Sequence, residues 1–221
     1  MRLHLSAQAT LGLQWLPKPA QTQETQVEEY SVETLEDIRA DLGECKRCRL
    51  HQGRRHIVFG EGDPRARIVI VGEGPGYEED RQGRPFVGAA GKLLDRMIVA
   101  MGWQRPEVYI ANVIKCHPPG NRNPREDEMA TCGPFLKRQI RAIRPTVILT
   151  LGGFASQYLL SSRSPISLLR GRVHQFEGIP LIPTYHPAYL LRNPGQKGKA
   201  WQDLQLLMKL VDKETVESVQ R

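Results

Sequence analysis

Long apolar runs are what this 221-residue chain most clearly lacks. Nowhere do about 20 apolar residues follow one another, the length that a bilayer-spanning helix needs, so no membrane association is expected. Met1 to Leu16 hold neither a continuous hydrophobic segment nor a small-residue cleavage site, which argues against secretion and makes the cytoplasm the expected location. Cysteine is scarce, with four residues, and a cytoplasmic protein seldom keeps disulfides. No internal repeat is visible, which excludes a solenoid.

Acidic residues are in short supply over most of the length. There are 24 Asp and Glu against 31 Lys and Arg, a formal charge of +7. Residues 1 to 44 hold eight acidic and three basic residues, which leaves 16 acidic and 28 basic in residues 45 to 221, a local charge of +12. Any single basic cluster is as well explained by a solvated surface, but an excess of that size favours a polyanion through counterion release.

Among what is present, four short β-prone runs stand out: Ile68 to Val71, Val108 to Val113, Thr146 to Leu151 and Leu181 to Tyr185. Helical spacing falls between them over residues 88 to 101, 125 to 143 and 153 to 161, and again at about 200 to 211. This alternation predicts one α/β domain with a parallel sheet of about four strands and helices on both faces. A further helix is expected from Ser31, as N-cap, to Leu42, with Gly43 as its stop. Residues 17 to 27 carry almost no large apolar side chain, so residues 1 to 30 are expected to form a mobile arm, 31 to 212 the domain and 213 to 221 a short tail.

The cysteines Cys45, Cys48, Cys116 and Cys132 are spaced C-x2-C, then 67 residues, then C-x15-C. A close pair in such a protein points to a metal, and spacing alone fits an iron-sulfur cluster, zinc or unrelated free thiols.

The most informative stretch runs from Gly72 through Glu73, Gly74, Pro75 and Gly76 to Gly91. It leaves a buried strand where α/β folds bind ligands, yet Pro75 and the acidic residues Glu78, Glu79 and Asp80 follow before any expected helix, unlike a dinucleotide-binding turn. A ring at Phe86 beside polar groups suits a planar, hydrogen-bonding ligand such as a base.

Gly72 to Gly91, with Asn112 to Cys116, the turn Pro118-Pro119-Gly120-Asn121-Arg122 and His186-Pro187-Ala188-Tyr189, resembles the family 4 uracil-DNA glycosylases over roughly residues 45 to 210. The resemblance implies a DNA repair enzyme that hydrolyses the N-glycosidic bond of uracil in DNA, with the four cysteines on a structural [4Fe-4S] cluster. It implies that Phe86 stacks on an extruded uracil, that Asn112 reads its N3 and O4, and that Glu79 fills the space of a thymine methyl. It also implies that His186 bonds O2 of the departing base. Other branches of the superfamily carry an Asp where Gly74 stands, so Gly74 joins the pocket residues and Glu73 and Asn121 become the candidates for orienting water. Leu190 or Leu191 is expected to wedge into the duplex, with Arg192 on a phosphate.

The stretch between Cys116 and Cys132 has no Lys-Arg-Arg-Ile-His insertion, so turnover is expected rather than a covalent dead end. A monomer is expected, and any replication clamp or polymerase partner is undefined. Two rival readings stand beside this one. A nucleotide-binding oxidoreductase is disfavoured because Asn112, not an acidic residue, closes the second strand. A non-catalytic DNA-binding or replication-associated module is disfavoured by His186 and Asn112 together.

Overall fold

The computed structural model describes residues 33 to 219, and side chains from 33 to 212. The expected arm, residues 1 to 30, and the proposed N-cap Ser31 lie outside the described residues. Within them, helix α1 (Leu35–Leu42) starts at Thr34, whose hydroxyl accepts from the Asp37 amide while the Asp37 carboxylate takes the Thr34 amide. Gly43 ends it, as its sequence position predicts.

One sheet organises the rest. Its strands are β1 (Glu61–Gly62), β2 (Ile68–Gly72), β3 (Tyr109–Asn112), β4 (Val147–Leu151), β5 (His174–Phe176) and β6 (Ile179–Thr184), in the spatial order β1-β3-β2-β4-β6-β5. The central four run parallel, as expected, with Gly72 opposite Asn112 and Val71 opposite Thr150. The sheet is nevertheless six-stranded and mixed, because β1 and β5 add antiparallel edges. These edges escape a hydrophobicity reading because they are two and three residues long. Glu177 and Gly178, both at positive φ, make the two-residue turn that hairpins β5 onto β6.

The central strands are buried on both faces, and their side chains alternate between two layers. Ile68 and Ile70 of β2 pack toward α3 (Ala89–Ala100) and α8 (Lys197–Val219), whereas Val69 and Val71 pack toward α4 (Glu126–Ile143) and α5 (Gly153–Leu160). Helix α8 runs well past the expected stop at residue 211. No helix among the described residues is long and apolar enough to cross a membrane.

A helix was also not expected. Residues Tyr77–Gln82 form a short helix, α2, so Glu78, Glu79 and Asp80 sit in its first turn rather than in a loop. Glu79 supports it: its carboxylate reaches back three residues and accepts from the Gly76 amide, the reciprocal half of a capping box.

Candidate active site

The four parallel strands all end at one edge of the sheet. Gly72 closes β2, Asn112 closes β3, Gly152 follows β4, and His186 follows β6 as the N-cap of α7 (Pro187–Arg192). β2 lies between β3 and β4, so the chain reverses its direction of travel across the sheet there, and such a switch point opens a crevice. An open cleft of about 490 Å³ occupies it, lined by Glu73, Gly74, Glu79, Phe86, Asn112, Asn121, His186 and Arg192 among others.

Asn112 sits at the bottom. It is 1% exposed, yet neither its carboxamide oxygen nor its nitrogen has a hydrogen-bond partner in the structure. A buried amide left unpaired costs about 1–3 kcal/mol, so this side chain is held ready for something that enters the cleft. Gly72 makes room for it, because a Cβ at that position would come within 2.4 Å of the Asn112 Oδ1 and 2.5 Å of the Phe86 ring.

Phe86 is held in a left-handed conformation, φ 50°, that a bulky side chain adopts only under constraint. Three constraints are visible. Arg105 donates to the carbonyls of Pro85 and Phe86 at 2.5 and 3.1 Å. The Glu79 carboxylate takes the amides of Val87 and Gly88 at 2.8 and 2.9 Å. Gly91 lets the Phe86 backbone approach so closely that a Cβ there would lie 1.9 Å from its carbonyl oxygen. The Phe86 ring then stands 5.7 Å from that of His186.

His186 accepts from the Ala188 amide through Nδ1, which assigns the ring proton to Nε2. Burial, reinforced by the nearby Arg192 cation and opposed by Glu79, lowers its pKa to about 4, so the imidazole is neutral at working pH. Behind it, Thr184 at the end of β6 donates to the buried carboxylate of Asp203, which also holds Arg170 through two hydrogen bonds.

Glu73 continues β2 into the cleft wall, where burial pushes its carboxyl up to about 7. Gly74 beside it packs so tightly that a Cβ would meet Ile114 at 2.7 Å. Asn121 stands across the cleft at φ 53°, its Oδ1 accepting from His117 Nε2 at 2.8 Å. His117, next to Cys116 in the chain, is thereby placed against a candidate site residue. The loop carrying both is anchored by Arg122, whose guanidinium makes two bonds to the fully buried Glu128 at the start of α4.

Two sequence expectations separate here. Leu190 is 1% exposed and belongs to the core against α3 and α8, so it is not a surface wedge. Leu191, at 40% exposure, faces outward on the same helix, and Arg192 lines the cleft. Arg105 carried no signal in the sequence, since its partners are carbonyls about 20 residues away.

The four cysteines gather from α1's exit, the β3 exit and α4 around one small pocket that Leu42, Ile57, Phe135, Arg47, Arg54 and Lys115 also line. Arg54 approaches the Cys116 sulfur at 3.5 Å, Arg47 that of Cys45 at 3.8 Å, and the Lys115 amide that of Cys132 at 3.2 Å. Donors aimed at sulfur suit thiolates bound to a metal. Among the described residues, no three His, Cys, Asp or Glu side chains are arranged to hold a single metal ion. Four thiols converging on one pocket are a donor set suited to a metal group bound through cysteine.

Comparison with known proteins agrees with this geometry. Residues 59–205 match the family model described as the uracil DNA glycosylase superfamily, and the chain belongs to that superfamily. It is 44% identical over 188 residues to the type-4 uracil-DNA glycosylase of Sulfurisphaera tokodaii, covering 81% of this chain and 86% of that one. With the type-4 uracil-DNA glycosylase of Thermotoga maritima it shares 47% identity over 163 residues, covering 73% and 85%. A type-5 uracil-DNA glycosylase of Pyrobaculum aerophilum is more distant, at 29% over 152 residues, covering 61% and 67%. Within the superfamily the chain falls in the type-4 branch.

Proposed function

We propose that this protein is a uracil-DNA glycosylase that extrudes deoxyuridine from DNA and hydrolyses its N-glycosidic bond, leaving an abasic site. The unpaired, buried Asn112 carboxamide at the floor of the cleft carries this reading. A fixed amide accepts from N3–H and donates to O4 of uracil, and cytosine offers the opposite pattern at those two atoms. The ring of Phe86 covers the base.

As the bond breaks, positive charge grows on the sugar and negative charge on the base. The low pKa keeps His186 neutral, so it stabilises the departing anion through a hydrogen bond donated from Nε2 to O2. Ionised Glu73 accepts from the attacking water, with Asn121 across the cleft as a second contact to it. Glu79, tied to three backbone amides, holds the wall that faces C5 and fixes the loop that carries Phe86. Leu191 and Arg192 meet the DNA flanking the extruded nucleotide.

Cys45, Cys48, Cys116 and Cys132 would hold a [4Fe-4S] cluster, whose contribution is to staple α1, the loop of residues 117 to 125 and α4 together. Incubating the cluster-replete protein with strands that carry one uracil opposite G, opposite A or unpaired, followed by alkaline cleavage, tests the proposal. Strand scission at the uracil position is expected, and intact strands in all three cases would overturn it.

A further inference from the structure

Tyr77 opens helix α2 one residue beyond Gly76, which lines the cleft. Tyr77 is 51% exposed. The Arg55 guanidinium lies over the ring, 5.5 Å from its centroid. The arrangement is built from below by Asp80, one turn along the same helix. Its carboxylate is 3% exposed and accepts from the Arg55 amide through both oxygens, at 2.9 and 3.1 Å. The Asp80 carbonyl meets His56 Nδ1 at 2.7 Å. A buried carboxylate is thus spent on fixing the segment of Arg55 against the helix of Tyr77, and the catalytic steps above make no use of it.

A half-exposed ring backed by a cation, next to a residue that lines a cleft for an extruded nucleotide, has the composition of a stacking platform for single-stranded nucleic acid. We propose that Tyr77 stacks on the nucleobase next to the extruded uridine, with Arg55 meeting the adjoining phosphate. This rests on the glycosylase reading for the identity of the strand, and it adds a contact to the DNA beyond those of α7.

The probe is a short single strand with a 2-aminopurine beside a tetrahydrofuran abasic analogue, which needs no catalysis. Titration with the wild-type protein and with Tyr77→Phe is expected to quench the 2-aminopurine. Tyr77→Ala is expected to lose the quench and bind about 10-fold more weakly. For uracil release from single strands, the effect of Tyr77→Ala is expected in KM rather than kcat. Arg55→Ala is expected to weaken binding and to flatten its salt dependence by roughly one phosphate contact. Quenching and affinity unchanged in Tyr77→Ala would overturn the platform even if uracil is released normally. A wild-type protein that quenches through Tyr77 yet releases no uracil would leave the platform standing and remove the glycosylase reading instead.

Discussion

Glu73 lines the cleft, and its charge changes near neutral pH. Burial raises its carboxyl to about 7, and only the ionised form accepts from water, so its contribution switches on as pH rises through that value. kcat/KM is expected to climb about tenfold per pH unit below about 7 and to level off above. Glu73→Gln should lower the plateau on the order of 100-fold and abolish the slope, and a pH profile of both proteins checks this. His186 adds no limb there, because it is already neutral above about 4. Stability runs in the opposite sense. A carboxyl whose folded pKa lies above its ordinary 4.5 favours folding below that value and loses the contribution as pH rises through about 7. Thermal melting of Glu73→Gln should therefore gain on the wild type between about pH 5 and about pH 8. At this scale the family resemblance singled out Asn112, Phe86 and His186, and the structure brings all three to one cleft. The sequence was silent on Arg105 and on His117, whose importance comes from partners that only the folded chain brings near.

At the scale of elements, α7 separates two neighbouring leucines by a rotation of about 100° on the helix. Leu190 enters the core and Leu191 faces solvent. Leu190→Ala is expected to cost about 2–5 kcal/mol of stability, seen in denaturant unfolding. Leu191→Ala should stay within about 0.5 kcal/mol but weaken binding to duplex more than to single strands. The loop of Phe86 gives a second case. Arg105→Ala leaves two carbonyls without their charged donor and releases a strained backbone, so uracil release is expected to fall by about 10- to 150-fold, the equivalent of about 1.5–3 kcal/mol for a charged hydrogen bond. Steady-state kinetics on single-stranded substrate measures it. The four central strands were legible because both their faces are buried and their residues are nearly all apolar. Strands β1 and β5 were not, being short and partly polar, and their pairing is fixed by neighbours rather than by composition. Helix α2 left a readable trace, a glycine followed three residues later by Glu79, but its acidic run looked like a loop.

For the whole molecule, the cysteine cavity joins segments that contribute to different layers. The loop between Cys116 and Cys132 also forms one wall of the cleft, through Pro118, Asn121, Arg122 and Asn123. Losing one ligand should therefore disturb both stability and the site. Cys48→Ala is expected to lose visible absorbance and to melt about 10 °C lower, as removal of a few kcal/mol does in a domain of this size. The sequence spacing of the cysteines left cluster, zinc and free thiols open; their convergence on one cavity is a property of the fold. The central claim is that an amide with no partner of its own selects the base. Its most direct test compares release of uracil and of cytosine from otherwise identical single strands by the wild type and by Asn112→Ala. The wild type should release uracil alone, and Asn112→Ala, folded and retaining its cluster colour, should release it about 100-fold more slowly or worse. Uracil release by Asn112→Ala at the wild-type rate would contradict the account.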